Sequence, residues 1–234
     1  MIRAGELRHL DQGRRVSIVG RLGVYPMTQF TLPARRIIAF LALHDEPMTR
    51  STAAGRLWPD APETQSRSNL RRALWQAPDG WILSVGDELT LDADVDYPTA
   101  REVAARAIDG GHLTFVEVQL LSEDLLPGWH EEWATAAQDF FRLLRVQALE
   151  AACRSMTKAG QHALATQAGM AALSAEPLSE SAADALISAH LRQGNRFAAA
   201  RCFRDFRQAL RIELGVEPND ALAARFDGLG LQLN

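Results

Sequence analysis

The sequence predicts a mainly α-helical protein with small β elements, arranged as two consecutive domains, and three observations carry that expectation. Before about residue 95 the segments run in the order strands, three helices, hairpin. After it, every clear segment repeats its apolar residues at three- and four-residue steps, the period of a helix face. Within those later helices Ala199 and Phe203 stand 34 positions after Ala165 and Gly169, which is the TPR period. The expected domains are residues 1–95, a winged helix-turn-helix in plan, and residues 96–234, a TPR-like helical domain.

Val16 and Ile18 alternate with polar or small positions as in a short strand, and Phe30-Thr31-Leu32 reads as a second one after Pro26. Pro33 then opens a helical pattern through Ile37, Ile38, Leu41 and Ala42, closed by His44-Asp45-Glu46-Pro47. Thr49 is a suitable cap for the next helix, whose apolar side is Ala53, Ala54, Leu57 and Trp58. Pro59 stops it. A third helix is expected from Thr64 to Gln76, with Leu70, Ala73 and Leu74 inward and Arg67, Ser68, Arg71, Arg72 and Trp75 on the other side. Strand-like runs 81–85 and 89–91 flank Gly86-Asp87-Glu88 as a hairpin. That order is the winged-helix plan, in which the third helix can enter the major groove of DNA and the hairpin an adjacent groove.

Residues 92–97 read as an acidic connector. Helices are expected from Asp96 or Thr99 to Ile108, around 116–121, over 130–157, and near 161–174, 179–192, 196–213 and 219–229. The longest carries Trp133, Ala137, Phe140, Leu144, Ala148, Ala152 and Met156 on one face. Ala165, Ala172 and Pro177 occupy TPR-like small-residue and proline positions.

Apolar residues make up 47% of the 234, enough for real cores. No run is long enough to span a membrane. The first 15 residues carry Arg3, Arg8, Arg14 and Arg15 without an apolar stretch, so no secretory signal is expected and the location read is cytoplasmic. Cys153 and Cys202 fall in helical patterns and read as buried free thiols. Net charge is −4, yet Arg50, Arg56, Arg67, Arg71 and Arg72 face only Asp60 and Glu63 between residues 50 and 75. The positive charge is local and sits on the second and third helices.

Enzyme chemistry finds no motif. His130-Glu131-Glu132-Trp133 is not an H-E-x-x-H zinc site, and neither a phosphate-binding G-x-x-x-x-G-K-[ST] loop nor a G-x-S-x-G elbow occurs. No catalytic residue, metal or cofactor is expected. Arg67, Arg71 and Arg72 are instead candidates for guanine or phosphate contact from an exposed helix face, with Ser68 beside them. Asn69 reads adenine, contacts phosphate or pins the helix. Arg35 and Arg36 contact phosphate or pair with the acidic connector. Thr49 and Arg50 start the second helix, whose N-terminus suits a phosphate, and Gly86 is the wing tip, though Asp87 and Glu88 beside it are acidic. Trp58 and Trp75 are expected to pack, and Trp129 and Trp133 to wedge the two halves together.

The run LPARRIIAFLALH (32–44), RLWPDAPETQSRSNLRRALW (56–75), LLPGWHEEW (125–133) and FRDFRQALRIELGVEPNDAL (203–222) resemble the actinobacterial antibiotic regulatory protein family. In that family an OmpR-like winged helix precedes a TPR-like bacterial transcriptional activator domain. The resemblance covers roughly residues 16–230. It implies a homodimer that binds repeats in double-stranded promoter DNA and contacts RNA polymerase as an activator. In two places the chain departs from the pattern: Trp75 is followed by Gln76-Ala77-Pro78 where members carry another basic turn, and the first strand hairpin is short. These 234 residues also leave no room for the ATPase domain of longer relatives, so nucleotide hydrolysis is not expected. The shortened third helix and acidic hairpin keep an alternative open, a protein-interaction adaptor or antagonist built on the TPR-like helices.

Overall fold

The structure, a computed structural model, describes residues 13–227. The reading of residues 1–12 as free of a signal segment, and residues 228–229 of the last expected helix, lie outside the described residues. The elements are β1 (Arg15–Ser17), β2 (Gly23–Tyr25), α1 (Leu32–Ala42), β3 (Met48–Thr49), α2 (Arg50–Leu57), α3 (Glu63–Gln76), β4 (Ile82–Val85), β5 (Glu88–Leu91) and β6 (Asp94–Val95), followed by helices alone. These are α4 (Asp96–Ile108), α5 (Phe115–Ser122), α6 (Glu132–Lys158), α7 (His162–Ala175), α8 (Glu180–Arg192), α9 (Arg196–Glu213) and α10 (Asp220–Asp227). The protein is thus mainly α with small β elements, a winged helix-turn-helix followed by TPR-like helices.

Two compact units form. One holds the described residues through Thr99 together with Leu125–Gln138, and the other holds Ala100–Asp124 together with the described residues from Asp139 on. In the first unit, β1 pairs antiparallel with β2 and parallel with β6, while β5 lies between β3 and β4, antiparallel to both. Ile37, Phe40 and Leu41 of α1, Ala53, Ala54 and Leu57 of α2, Leu70 and Ala73 of α3, and Leu89 of β5 form one buried core.

The second strand lies at Gly23–Tyr25 and not at Phe30–Leu32. Thr31 instead caps α1, its hydroxyl accepting the Ala34 N–H at 3.4 Å, and Pro33 sits in the first turn, where a helix needs no N–H from it. The acidic connector is also structured. Asp92 pairs with Arg14 at 2.9 Å, and Asp94–Val95 adds β6 to β1. The Asp96 carboxylate accepts the Ile18 N–H at 2.8 Å and the Val19 N–H at 3.3 Å. Without Asp96 these backbone donors, one of them on a fully buried residue, would lack a partner.

Leu125–Gln138 joins this unit through its backbone. The Leu126 N–H donates to Ile18 O at 2.8 Å, and the Gln138 amide donates to Leu126 O and Trp129 O. Leu126 is fully buried with φ at 45°, a left-handed conformation that costs a non-glycine residue about 1–2 kcal/mol.

In the second unit, the buried side of α6 runs through Phe141, Arg145, Ala148, Leu149, Ala152 and Met156. Phe140, expected on that side, is 53% exposed, because the inward stripe passes one residue later. Arg145 is buried and donates to the Leu121 and Ser122 carbonyls and to Asp124, closing the C-terminal end of α5. Small residues let the helices approach. Ala165, Ala168, Gly169 and Ala172 of α7 are buried, as are Ala182, Ala183, Ala185 and Ala189 of α8. A Cβ at Gly169 would lie 3.0 Å from Cys153 Sγ and 3.1 Å from Leu186 Cα, so that position takes no side chain without a shift. Phe203, Phe206 and Leu210 of α9 fill the core toward α8 and α10 with Ile187 and Leu222. Burial pushes both cysteine thiols up to about 11; Cys153 is buried, but Cys202 is only half-buried, since it lies on the flank of α9.

Asp96→Ala should lower stability by about 1–3 kcal/mol in urea denaturation, the penalty for stranded backbone donors. Asp96→Asn keeps an acceptor oxygen and should lose less than half as much at pH 7. Burial raises the Asp96 carboxyl above its ordinary 3.8, against the opposing backbone hydrogen bonds. The folded state therefore holds that proton more tightly than the unfolded one. The wild-type chain should gain on the Asn variant as pH falls through the raised value toward 3.8.

Candidate nucleic-acid interface

Ser66, Leu70 and Ala73 set the rotation of α3, since they are its buried residues. Steps of three and four from them reach the inside, so Ser68, Arg71, Arg72 and Trp75 point outward, with Arg67 at the edge. The Ser66 hydroxyl donates to Glu63 O at 3.0 Å and so satisfies its own burial. Arg71 and Arg72 are exposed and make no ion pair among the described residues. Arg67 pairs with Glu63 at 2.7 Å, one turn back, with both side chains more than half exposed. Such a pair contributes little and can open for a stronger anion. Asn69 lies on the flank, its side-chain oxygen accepting from the Gln65 amide at 3.0 Å.

An open cleft of about 230 Å³ lies where α2, α3 and the hairpin meet. Arg50, Ser51, Arg67, Leu70, Arg71 and Asp87 line it. Three guanidinium groups thus converge around one carboxylate, a net positive recess that suits a phosphate oxygen. The start of α2 is held to the hairpin turn by the Arg50 N–H, which donates to Asp87 O at 2.8 Å. The Thr49 hydroxyl accepts the Thr52 N–H at 3.2 Å. Two of the first three amides of α2 are therefore occupied, and Thr49 and Arg50 reach an anion through the arginine side chain rather than through the helix end. Gly86 is exposed with φ at +59°, and it alone in the two-residue turn between Val85 and Glu88 has a positive φ, as a type II′ hairpin requires. Asp87 and Glu88 beside it are exposed, so the tip is acidic.

Arg35 and Arg36 diverge. Arg35 is exposed and lines a separate open cleft with Leu22, Val24, Thr28, Gln29 and Phe30, which none of the α3 arginines reaches. Arg36 pairs with Glu131 at 2.9 Å, donates to Leu57 O at 2.5 Å and lies 5.3 Å from the Trp58 ring centre. Its guanidinium is committed within the fold, to an acid 95 positions later in the chain and not to the acidic run at 92–97. Trp133 packs edge-on against Phe40, ring centres 5.4 Å apart, and Trp129 against Trp133 at 5.7 Å. Trp75 departs from the expectation of packing: it is 85% exposed, because the inward positions of α3 fall at 70 and 73. Helical spacing already placed it beside the arginines.

No curated protein matches the chain. Residues 110–229 match the family described as the bacterial transcriptional activator domain. The chain belongs to the bacterial transcriptional activator domain family. This family is a regulatory domain and not a catalytic one, and membership gives the chain a general role in transcription regulation. Among solved structures the chain is similar to Mycobacterium tuberculosis EmbR, determined in complex with a low-affinity phosphopeptide, at a TM-score of 0.57 and 19% identity. The match covers 90% of this chain and 63% of that one, and at this identity it is a likeness of fold. Among the described residues of this family member no helix is long and apolar enough to cross a membrane, and no group of three His, Cys, Asp or Glu side chains is placed to hold a metal.

Arg36→Ala should lower stability by about 1–3 kcal/mol, read by urea denaturation, since it strands Glu131 and the Leu57 carbonyl together. Glu131→Gln should shift stability the same way by a smaller amount.

Proposed function

We propose that this transcription-regulatory protein binds promoter DNA sequence-specifically, with α3 in the major groove and the β4–β5 hairpin beside an adjacent groove. The observation that carries the reading is the outward face of α3, where Arg71 and Arg72 are exposed without an ion pair among the described residues and Arg67 is held only by Glu63. A planar guanidinium on such a helix reads guanine O6 and N7 bidentately, or clamps phosphate. Arg50 in the adjoining cleft, with Arg35 on its own side of the unit, supplies phosphate contacts that position the helix. Ser68 is the polar neighbour within the same stripe, and Asn69 serves mainly to brace α3. Gly86 brings the wing backbone close, while Asp87 and Glu88 keep the tip out of a deep groove insertion. Arg36 is left out of this surface.

The finer reading is an activator, working as a homodimer on promoter repeats and contacting RNA polymerase from the TPR-like unit. The description of the matched family supports activation, and exposed Phe140, Leu143 and Phe197 give that unit apolar surface for a protein partner. The adaptor reading has one observation in its favour: α3 ends at Gln76, and Ala77 is already extended ahead of Pro78. A short reading helix lowers the number of base contacts available.

A fluorescence-anisotropy titration separates the two. The probe is a duplex selected by the wild-type chain from a random-sequence pool, measured from 50 to 200 mM salt. Affinity should fall log-linearly with salt. Arg71→Ala and Arg72→Ala should each weaken binding by about 1–3 kcal/mol and reduce the salt slope by about 1 where a phosphate contact is lost. Both variants should keep the wild-type melting curve. Absent binding at 50 mM salt, or binding indifferent to salt, contradicts DNA recognition and leaves the adaptor.

A further inference from the structure

Among the tryptophans of the N-terminal unit, Trp75 stands apart. Trp58 lies under the Arg36 guanidinium, Trp81 packs edge-on against Phe30, and Trp133 against Phe40. Trp75 makes none of these ring contacts and is 85% exposed. It is also not at a random place on the surface. Positions 68, 71 and 75 follow steps of three and four, so Trp75 shares the outward stripe of α3 with Ser68 and Arg71, and Arg72 flanks it. From Arg67 to Trp75 the helix rises about 12 Å at 1.5 Å per residue, the length of roughly three to four base-pair steps of about 3.4 Å.

An apolar ring flanked by Arg71 and Arg72, which make no ion pair among the described residues, calls for an occupant that is anionic around an apolar spot. The acids of α3 are confined to Glu63 at its other end. Double-stranded DNA has that pattern. Its phosphates meet the arginines, and the one apolar group it presents in the major groove is the thymine C5-methyl. Among Ser68, Arg71, Arg72 and Trp75, only the Trp75 ring offers an extended apolar surface to a methyl group. The rival occupant is a protein, because exposed Leu32 opens α1 close by, where the Thr31 hydroxyl donates to the Gln76 side-chain oxygen at 3.0 Å. A protein partner would leave Arg71 and Arg72 to find acids of its own, whereas DNA supplies anions on both sides of the ring.

We infer that Trp75 is a specificity-determining residue that reads thymine through its C5-methyl group. The inference rests on the DNA-binding reading above. A contact of this kind neutralises no phosphate, so it adds to sequence preference without adding to the salt dependence.

The test uses the full chain and the selected duplex, with thymines replaced one at a time by uracil. That exchange removes the methyl and keeps every hydrogen-bonding group. At one or two positions uracil should weaken wild-type binding by about threefold to tenfold. Trp75→Ala should weaken binding to the thymine duplex by a similar factor, show no response to uracil at those positions, and keep the wild-type salt slope and melting curve. Trp75→Phe should retain part of the thymine preference. If Trp75→Ala binds the thymine duplex as tightly as wild type, or if both proteins lose equally on uracil, the inference is overturned while DNA recognition stands. It is overturned in the same way if uracil is without effect at every position. If the wild-type chain binds no duplex at all, the DNA-binding reading falls first and this one with it.

Discussion

The burial of Leu70 and Ala73 against α1 and α2 is the constraint on which the N-terminal unit depends. Burying a leucine side chain is worth about 1.5–3 kcal/mol, so rotating α3 away from that position is strongly disfavoured. With two positions three residues apart held inside, every other side chain of the helix has a determined direction. Ser68, Arg71 and Trp75 go outward as a consequence of packing, and no interaction of their own is needed to hold them there. Leu89 of β5 enters the same core and Met48 of β3 pairs with it across the strands. The hairpin and the start of α2 are thereby fixed beside α3, and the arginine-lined cleft forms at their junction.

A second layer of support comes from Leu125–Gln138, which packs with the N-terminal unit although it lies far along the chain. Trp133 covers Phe40, Glu131 holds Arg36, and Leu126 accepts a left-handed backbone to present its N–H to Ile18. Part of the stretch matched by the family, residues 110–229, thus packs against α1 and the core that α1 shares with α2 and α3. The run LLPGWHEEW has a structural use here: its Trp133 packs on Phe40 and its Glu131 pairs with Arg36, both on α1.

Much of this was legible in the residues. Local signals found the helices: Pro33, the Thr49 cap, Pro59 and the Gly86 turn each act within a few positions of themselves. The arginine stripe followed from the 3.6-residue period. Interactions across long separations were not legible. Nothing near Asp96 says that its carboxylate will meet Ile18, 78 positions earlier, and nothing near Arg36 names Glu131. β6 has two residues and β3 two, too short for any alternation to show. Phe30–Leu32 looked like a strand because a threonine between apolar residues is compatible with both an extended run and a helix cap. Phe140 and Trp75 show the remaining limit: large apolar side chains were expected inside, and here packing geometry leaves both out.

The central claim is that guanidinium groups of α3 read base edges in the major groove. Methylation interference tests it most directly, because a methyl at guanine N7 sits in that groove and blocks the acceptor that arginine would use. A duplex selected by the wild-type chain should contain at least one guanine whose N7 methylation abolishes binding, and that effect should vanish in Arg71→Ala or Arg72→Ala. Tight, salt-dependent binding that ignores N7 methylation throughout the duplex would contradict the account.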